Sequence, residues 1–342
     1  MFAGTFPSRR MRRLRNLKRI REAVADTLIP EKCLIYPIFV GDLDQPRPVD
    51  SMPGVAQLPV EVAVEVIQQL AAGGLRQFLL FGITPAAKKD PTGSFARASL
   101  APVNRTLRAV RQCDLDVVLY ADLCLCEYTD HGHCGTLSES AEAEAGTSVS
   151  VTNDPTLGLL GPMAVALAKS GADVIAPSGM MDGQVGAIRA ALDDAGFVDT
   201  LILSYCIKYA SNLYGPFRDA GEGGMKCGDR KSYQMDYRRT REWRSELQLD
   251  LSEGADMVMV KPAVTCLDIV HQVRHACDIP LAAFHVSGEY AMLHAAAERG
   301  WVDLQQAALE QTYAIRRAGA DLIVTYFAPQ LIQWLAQEDH EG

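Results

Sequence analysis

The chain has 342 residues, with 33 Lys and Arg against 42 Asp and Glu, a formal charge of -9 and 48% hydrophobic content. Surface scaling gives about 14,000 Å² exposed when folded against roughly 54,000 Å² for the extended chain, so about 75% is buried in what should be one large core. Near-average usage of Gly (27) and Pro (17), with that apolar content, excludes disorder, a collagen-like fibre and a disulfide-stapled miniprotein.

The charge is uneven. Residues 1–21 carry eight basic side chains (Arg9, Arg10, Arg12, Arg13, Arg15, Lys18, Arg19 and Arg21) and no acid, leaving 25 basic against 42 acidic residues in the rest. No apolar signal-peptide core follows, and no run of about 18 apolar residues could cross a membrane. An Arg-rich, acid-free start fits an organellar transit peptide or a short organised arm. Nine cysteines, odd in number and partly clustered, read as cytosolic thiols and metal ligands rather than a secreted disulfide framework. A cytoplasmic setting is therefore expected, and the acidic total argues against broad nucleic-acid binding.

Eight short apolar runs follow in order: Leu34–Val40, Gln77–Ile83, Val117–Asp122, Asp173–Pro177, Leu201–Cys206, Asp256–Lys261, Leu281–Val286 and Asp321–Phe327. Each is near-continuously apolar rather than alternating, as expected of strands buried on both faces. Between them the spacing predicts helices over Val60–Ala72, Pro162–Lys169, Val185–Ala195 and Asp303–Arg317. A Gly-Ala-Asp phrase at Gly171, Gly254 and Gly319 joins a helix end to a strand start each time. Eight strands with helix-sized crossovers predict an α/β fold, the (β/α)8 barrel. A doubly wound open sheet competes, but no Gly-x-Gly-x-x-Gly or phosphate-binding loop supports it. Two long connections, Asp122–Pro155 and Ser211–Asp236, follow strand ends, where barrel enzymes build their sites.

Lys261 ends one of these strands and Lys208 lies just past the preceding one. An ammonium at the end of an apolar strand is costly unless its pKa falls, and a neutral lysine attacks carbonyls. Two on adjacent strands point to imine chemistry; the alternative is that they snorkel to solvent. Cys124, Cys126 and Cys134 form Cys-x-Cys-x7-Cys, unlike paired structural fingers, and three thiolates leave a fourth zinc position open. His131 and His133 either complete a closed site or support it from outside, and unliganded reduced thiols are the bland alternative. The other cysteines (Cys33, Cys113, Cys206, Cys227, Cys266 and Cys277) read as small buried hydrophobes. Arg218 and Arg230, in the glycine-rich connection, suit a carboxylate clamp on a lid or else salt bridges to Asp219, Glu222 or Asp229. Ser287 and Tyr326 offer hydroxyls at the ends of the last two strands.

Taken together, these residues resemble the porphobilinogen synthase (5-aminolevulinate dehydratase) family. The likeness runs in order from about Arg9 to Trp334. It is carried by Asp122–Gly135, by Ala176-Pro-Ser-Gly-Met-Met-Asp-Gly183, by Ser204-Tyr-Cys-Ile-Lys-Tyr-Ala with Tyr214-Gly-Pro-Phe-Arg-Asp-Ala220, by Met257-Val-Met-Val-Lys-Pro262 and by Phe284-His-Val-Ser-Gly-Glu-Tyr290. The resemblance implies an N-terminal arm (1–30) on a single catalytic barrel (31–335), assembled as a homo-octamer of arm-exchanging dimers. It implies condensation of two 5-aminolevulinate molecules to porphobilinogen, with no organic cofactor and no nucleic-acid or membrane partner. Lys261 would form the Schiff base with the first substrate and Lys208 would engage the second. Ser287 and Tyr326 would hold the first carboxylate, and Arg218 and Arg230 the second. Zinc on Cys124, Cys126 and Cys134, with Asp122 beside it, would polarise the second substrate, and Glu246 would match an allosteric magnesium site. The chain departs from the family pattern at Gly179, where Asp is usual, at Cys206-Ile207, and around Glu246 (Arg241-Glu-Trp-Arg-Ser-Glu-Leu). A class I aldolase would account for Lys261 but leave the cysteines and second lysine idle. A zinc-binding scaffold is the non-enzymatic alternative.

Overall fold

The computed structural model describes residues 4–138, 150–225 and 228–340. Eight parallel strands follow one another: β1 (Leu34–Gly41), β2 (Gln77–Ile83), β3 (Val118–Leu123), β4 (Val174–Pro177), β5 (Leu201–Lys208), β6 (Met257–Lys261), β7 (Leu281–His285) and β8 (Leu322–Thr325). Each pairs with its neighbour in chain order, and β8 returns to β1, with Leu34 opposite Ile323. The expected (β/α)8 barrel is thus closed. All seven residues of β2 and all five of β6 are buried, as strands covered on both faces require.

The outer ring is α1 (Val60–Ala72), α2 (Pro102–Gln112), α3 (Asn153–Lys169), α4 (Gln184–Asp194), α5 (Trp243–Ser252), α6 (Leu267–Arg274), α7 (Leu304–Ala318) and α8 (Ala328–His340). α1 lies where its periodicity placed it. α3 starts well before the expected Pro162, which sits inside the helix; a proline favours a first turn but does not require one. β5 runs on to include Lys208, and β8 stops at Thr325, leaving Tyr326 in the turn beyond. Both long connections carry structure. Ser211–Asp236 contains a helical turn, Asn212–Tyr214, and a short helix, Gly215–Ala220; Cys227 lies outside the described residues.

The recurrent Gly-Ala-Asp phrase has a double role. Gly171, Gly254 and Gly319 all have positive φ, between 100° and 120°, the conformation that lets a helix end turn directly into a strand. The aspartate then reaches across to the preceding strand. Asp173 accepts from Leu119 N at 2.8 Å, Asp256 from Ile202 N at 2.7 Å, and Asp321 from Leu281 N at 2.9 Å. Three carboxylates thus satisfy amides at the closed end of the barrel, leaving the opposite mouth for chemistry.

Ahead of β1, Met11–Leu14 and Lys18–Ala23 form two short helical pieces that bury none of their residues. Leu14, Leu17 and Ile20 are 49%, 65% and 37% exposed. The chain exposes 16664 Å², above the roughly 14,000 Å² that scaling gives a compact monomer of this size. The extended arm contributes to that excess. Among the described residues no helix is long and apolar enough to cross a membrane.

Candidate active site

Lys208 and Lys261 are directly opposed partners on β5 and β6. The register explains how. Leu203 and Ser204 pair with Met257 and Val258, but Ile207 and Lys208 pair with Val260 and Lys261. One extra residue in β5 forms a bulge, which brings Lys208 rather than Ile207 opposite Lys261. Both lysines are only 5% exposed.

Lys261 sits in an aromatic box. Its Nζ is 3.9 Å from the centre of the Phe284 ring, 5.1 Å from Tyr205, 5.2 Å from Phe217 and 5.3 Å from Tyr214. Burial, then the Lys208 charge, bring its pKa down to about 7, with Asp122 opposing. A large fraction is therefore free amine near neutrality, as a carbonyl nucleophile requires. Lys208 donates to the Ser178 carbonyl at 2.5 Å, and the Ser178 hydroxyl donates to Asp122 Oδ2 at 3.2 Å. Asp122 is buried with its second oxygen unpartnered, and burial lifts it to about 6 against the pull of Lys208.

The three cysteines converge where β3 opens into its long connection. Their sulfurs lie within 4.8 Å of one another, with Cys124 and Cys126 3.2 Å apart. Thiolates about 2.3 Å from a tetrahedral zinc stand about 3.8 Å from each other, so the spacing fits the ion. Hydrogen bonds from Cys124 and Cys126 hold the Cys134 thiol well below its ordinary range, with Arg230 and Lys208 helping against burial. Cys124 is pushed up by the same sulfur contacts and then by burial. Among the described residues no histidine or carboxylate joins the cluster. His131 faces the Pro91 carbonyl at 3.2 Å and His133 the Tyr233 hydroxyl at 3.2 Å, so neither closes the site.

Arg218 and Arg230 enter from the lid. Neither has a carboxylate within salt-bridge distance among the described residues; Asp219 takes the Ser51 hydroxyl, Glu222 pairs with Arg47 and Asp229 with Lys231. The salt-bridge alternative therefore fails. Arg230 donates to the carbonyls of Gly132 (2.9 Å) and Gly223 (3.2 Å), and its Nε, like that of Arg218, is buried without a partner. Burial, then repulsion from Arg230, lowers the Arg218 pKa. Arg218, with no carboxylate beside it, and Arg230, kept charged against burial by Cys134 and Cys126, mark a place for an anion.

The Tyr326 hydroxyl is likewise buried and unpartnered. Ser287 opens the helix Ser287–Glu298; its Oγ accepts from Phe217 N at 3.0 Å and donates to Leu213 O at 3.3 Å. Glu246, half-buried, lies one turn before Asp250 on α5 and lines a cavity with Met181, Asp182 and Tyr233. Burial, then Asp250 and Asp182, raises it to about 7. A side chain on Gly179 would make ordinary contact with Gln184 Oε1 (3.4 Å) and Cys134 O (3.7 Å).

Several working residues escaped the sequence reading. The box aromatics Tyr205, Tyr214, Phe217 and Phe284 look like core filler, and Ser178 looks like a turn residue. Glu127, buried beside Cys126 and accepting from Gly82 N at 3.1 Å, gave no signal of its own. All lie inside the segments that carry the family resemblance.

Comparison with known proteins agrees with this geometry. A family model described as delta-aminolevulinic acid dehydratase matches residues 8–334. The delta-aminolevulinic acid dehydratase of Synechococcus elongatus is 47% identical over 333 residues, covering 97% of this chain and 100% of that protein. That of Archaeoglobus fulgidus is 47% identical over 334 residues, covering 96% and 99%. The crystal structure of the Toxoplasma gondii enzyme in complex with the reaction product porphobilinogen superposes with a TM-score of 0.92 at 40% identity, covering 96% of this chain and 92% of that one.

Proposed function

The chain belongs to the delta-aminolevulinic acid dehydratase family, and we infer from that premise how its own residues carry the family reaction. Two molecules of 5-aminolevulinate condense to one porphobilinogen with loss of two waters. The observation that carries the assignment of roles is the in-register pair of buried lysines beside a three-sulfur site.

In this reading the free amine of Lys261 attacks the keto carbon of the first substrate, and water leaves as the imine forms. The aromatic box excludes bulk water from that bond. Tyr326 and Ser287 receive the first carboxylate; the Ser287 proton turns to it from the Leu213 carbonyl. Arg218 and Arg230 receive the second carboxylate, and their mutual repulsion is relieved when it arrives. Lys208, oriented by Ser178, engages the second substrate's carbonyl. Asp122, which feels the charges of both lysines and of Cys134, would hold or move a proton. Zinc on Cys124, Cys126 and Cys134 would supply Lewis-acid polarisation of the second substrate.

Borohydride reduction with 5-aminolevulinate present should leave an adduct on Lys261, located by peptide mass spectrometry. Zinc-loaded protein should release porphobilinogen. A protein that binds zinc yet forms no Lys261 adduct defeats this reading.

Homo-octamer assembly is part of the same proposal. The exposed apolar residues of the arm, set among eight basic side chains, suit a neighbouring acidic barrel. Removing residues 1–21 should shrink the oligomer in light scattering; unchanged mass would refute it. Crowding of Glu246 by Asp250 and Asp182 supports an allosteric magnesium there, tested by loss of any magnesium response in Glu246→Ala. A site of three reduced thiols supports a cytoplasmic setting.

A further inference from the structure

We propose that Glu289 is a positioning residue of the active site, a carboxylate that clamps the chain leaving Lys261 to the helical turn that presents Ser287. The inference rests on the roles proposed above for Lys261 and Ser287.

Glu289 is 2% exposed and, among the described residues, has no basic partner within salt-bridge distance. A buried carboxylate without a cation is expensive and is kept only where backbone donors satisfy it. Here they do. Its Oε2 accepts from Val286 N at 2.8 Å, closing the first turn of its own helix. Its Oε1 accepts from Val264 N, also at 2.8 Å, in the loop just beyond Lys261. A helix cap needs only the first of these bonds. The second reaches into a different strand-helix unit, so one side chain spans the ends of β6 and β7. Only a group with two acceptor oxygens can do both.

The clamped turn is also where the lid is seated. Ser287 Oγ bonds Phe217 N and Leu213 O. At Gly288 a side chain would meet Leu213 O at 2.5 Å and its Cα at 2.7 Å, so the two backbones pack face to face. Phe217 is a wall of the Lys261 box and precedes Arg218. From Lys261 through Glu289 to Ser287 and the lid base, the contacts are continuous. Release of the clamp should therefore loosen the first carboxylate site before it touches the chemistry.

The variant Glu289→Gln keeps the volume but sets an amide NH2 against one of the two backbone N–H groups. It should raise KM for 5-aminolevulinate about tenfold, the equivalent of about 1.4 kcal/mol, with a smaller change in kcat. Half-saturation of Lys261 imine formation by 4-oxopentanoate, the substrate without its amino group, should rise by the same factor. Combined with Ser287→Ala, the effect should not multiply, because Glu289 acts through Ser287. A lowered melting temperature with unchanged KM, or fully multiplicative effects in the double variant, overturns the proposal. Should Glu289→Gln fail to fold, Glu289→Asp keeps the charge but cannot reach both elements. A folded Glu289→Asp protein with wild-type KM is equally fatal. Parent protein that traps no imine would refute the lysine assignment instead, which keeps the two failures apart.

Discussion

Replacing Lys208 with Met removes its charge while keeping most of its length. Lys261 is held down to about 7 by burial first and by Lys208 second. The two residues are in-register partners, and their amines lie 5.7 Å and 5.1 Å from the centre of the same Tyr205 ring. For a separation of about 8 Å and an effective dielectric of about 20, their repulsion is about 2 kcal/mol, or about 1.5 pH units. Lys208→Met should therefore move the midpoint for imine formation at Lys261 from about 7 to about 8.5. At pH 7 the free-amine fraction, and with it the trapping rate, should fall about fifteenfold. The assay is the initial rate of borohydride trapping of subsaturating 4-oxopentanoate between pH 5.5 and 9.5. The adduct is counted on the Lys261 peptide alone, so the rate reports that amine and not any imine formed at Lys208. A midpoint that stays near 7 would show that burial alone sets the amine and that the paired lysines do not sense each other.

The remaining predictions address the other parts of the site. Cys126→Ala should lose the bound zinc, from about one ion per chain to none by elemental analysis, and activity with it; retention of the ion would refute the three-sulfur site. Tyr326→Phe should raise KM about tenfold with little change in kcat, the loss of one buried hydrogen bond to a carboxylate; an unchanged KM would remove Tyr326 from that role. Gly288→Ala should leave the barrel folded by circular dichroism but displace the lid base, lowering activity at least tenfold, about 1.4 kcal/mol. Full activity would show that the contact with Leu213 yields without consequence.

The barrel strands were legible because each is largely buried on both faces and reads as a near-continuous apolar run. Their ends were not, since a strand stops where its neighbour stops pairing: β8 gives out at Thr325 although Tyr326 and Phe327 continue the apolar run. The helix of Ser287–Glu298 was missed for a related reason. Its stop signal is ordinary, but its N-terminal cap is a buried glutamate whose second bond goes to another loop. At the site, lysines and cysteines stood out because buried charge and clustered thiols are rare. The aromatic box did not, because Tyr205 comes from β5, Phe284 from β7, and Tyr214 and Phe217 from the lid. They meet only when the barrel closes. In the Gly-Ala-Asp phrase, the glycine's turn was readable, whereas the aspartate's bond across to the preceding strand was not.

The bulge in β5 shows how one residue of register decides the chemistry. The Ser204 side chain faces outward, its hydroxyl donating to Asp250 on α5 at 2.5 Å. Strict alternation from Ser204 would send Cys206 and Lys208 outward too, leaving Lys261 to face Ile207. The extra residue resets the alternation after Cys206, so Cys206 stays on the outer face, where burial and then Asp250 raise its thiol pKa. Lys208 is turned inward, onto Ser178 and the Tyr205 ring. Tyr205 and Cys206 therefore form the bulge, opposite the single Met259, and the unusual Cys206-Ile207 pair straddles its end. Cys206 changes packing against α5, and Ile207 lies one step short of the reacting pair. What matters for the second amine is the residue count between Ser204 and Lys208, since each step of register exchanges an inward lysine for an outward one.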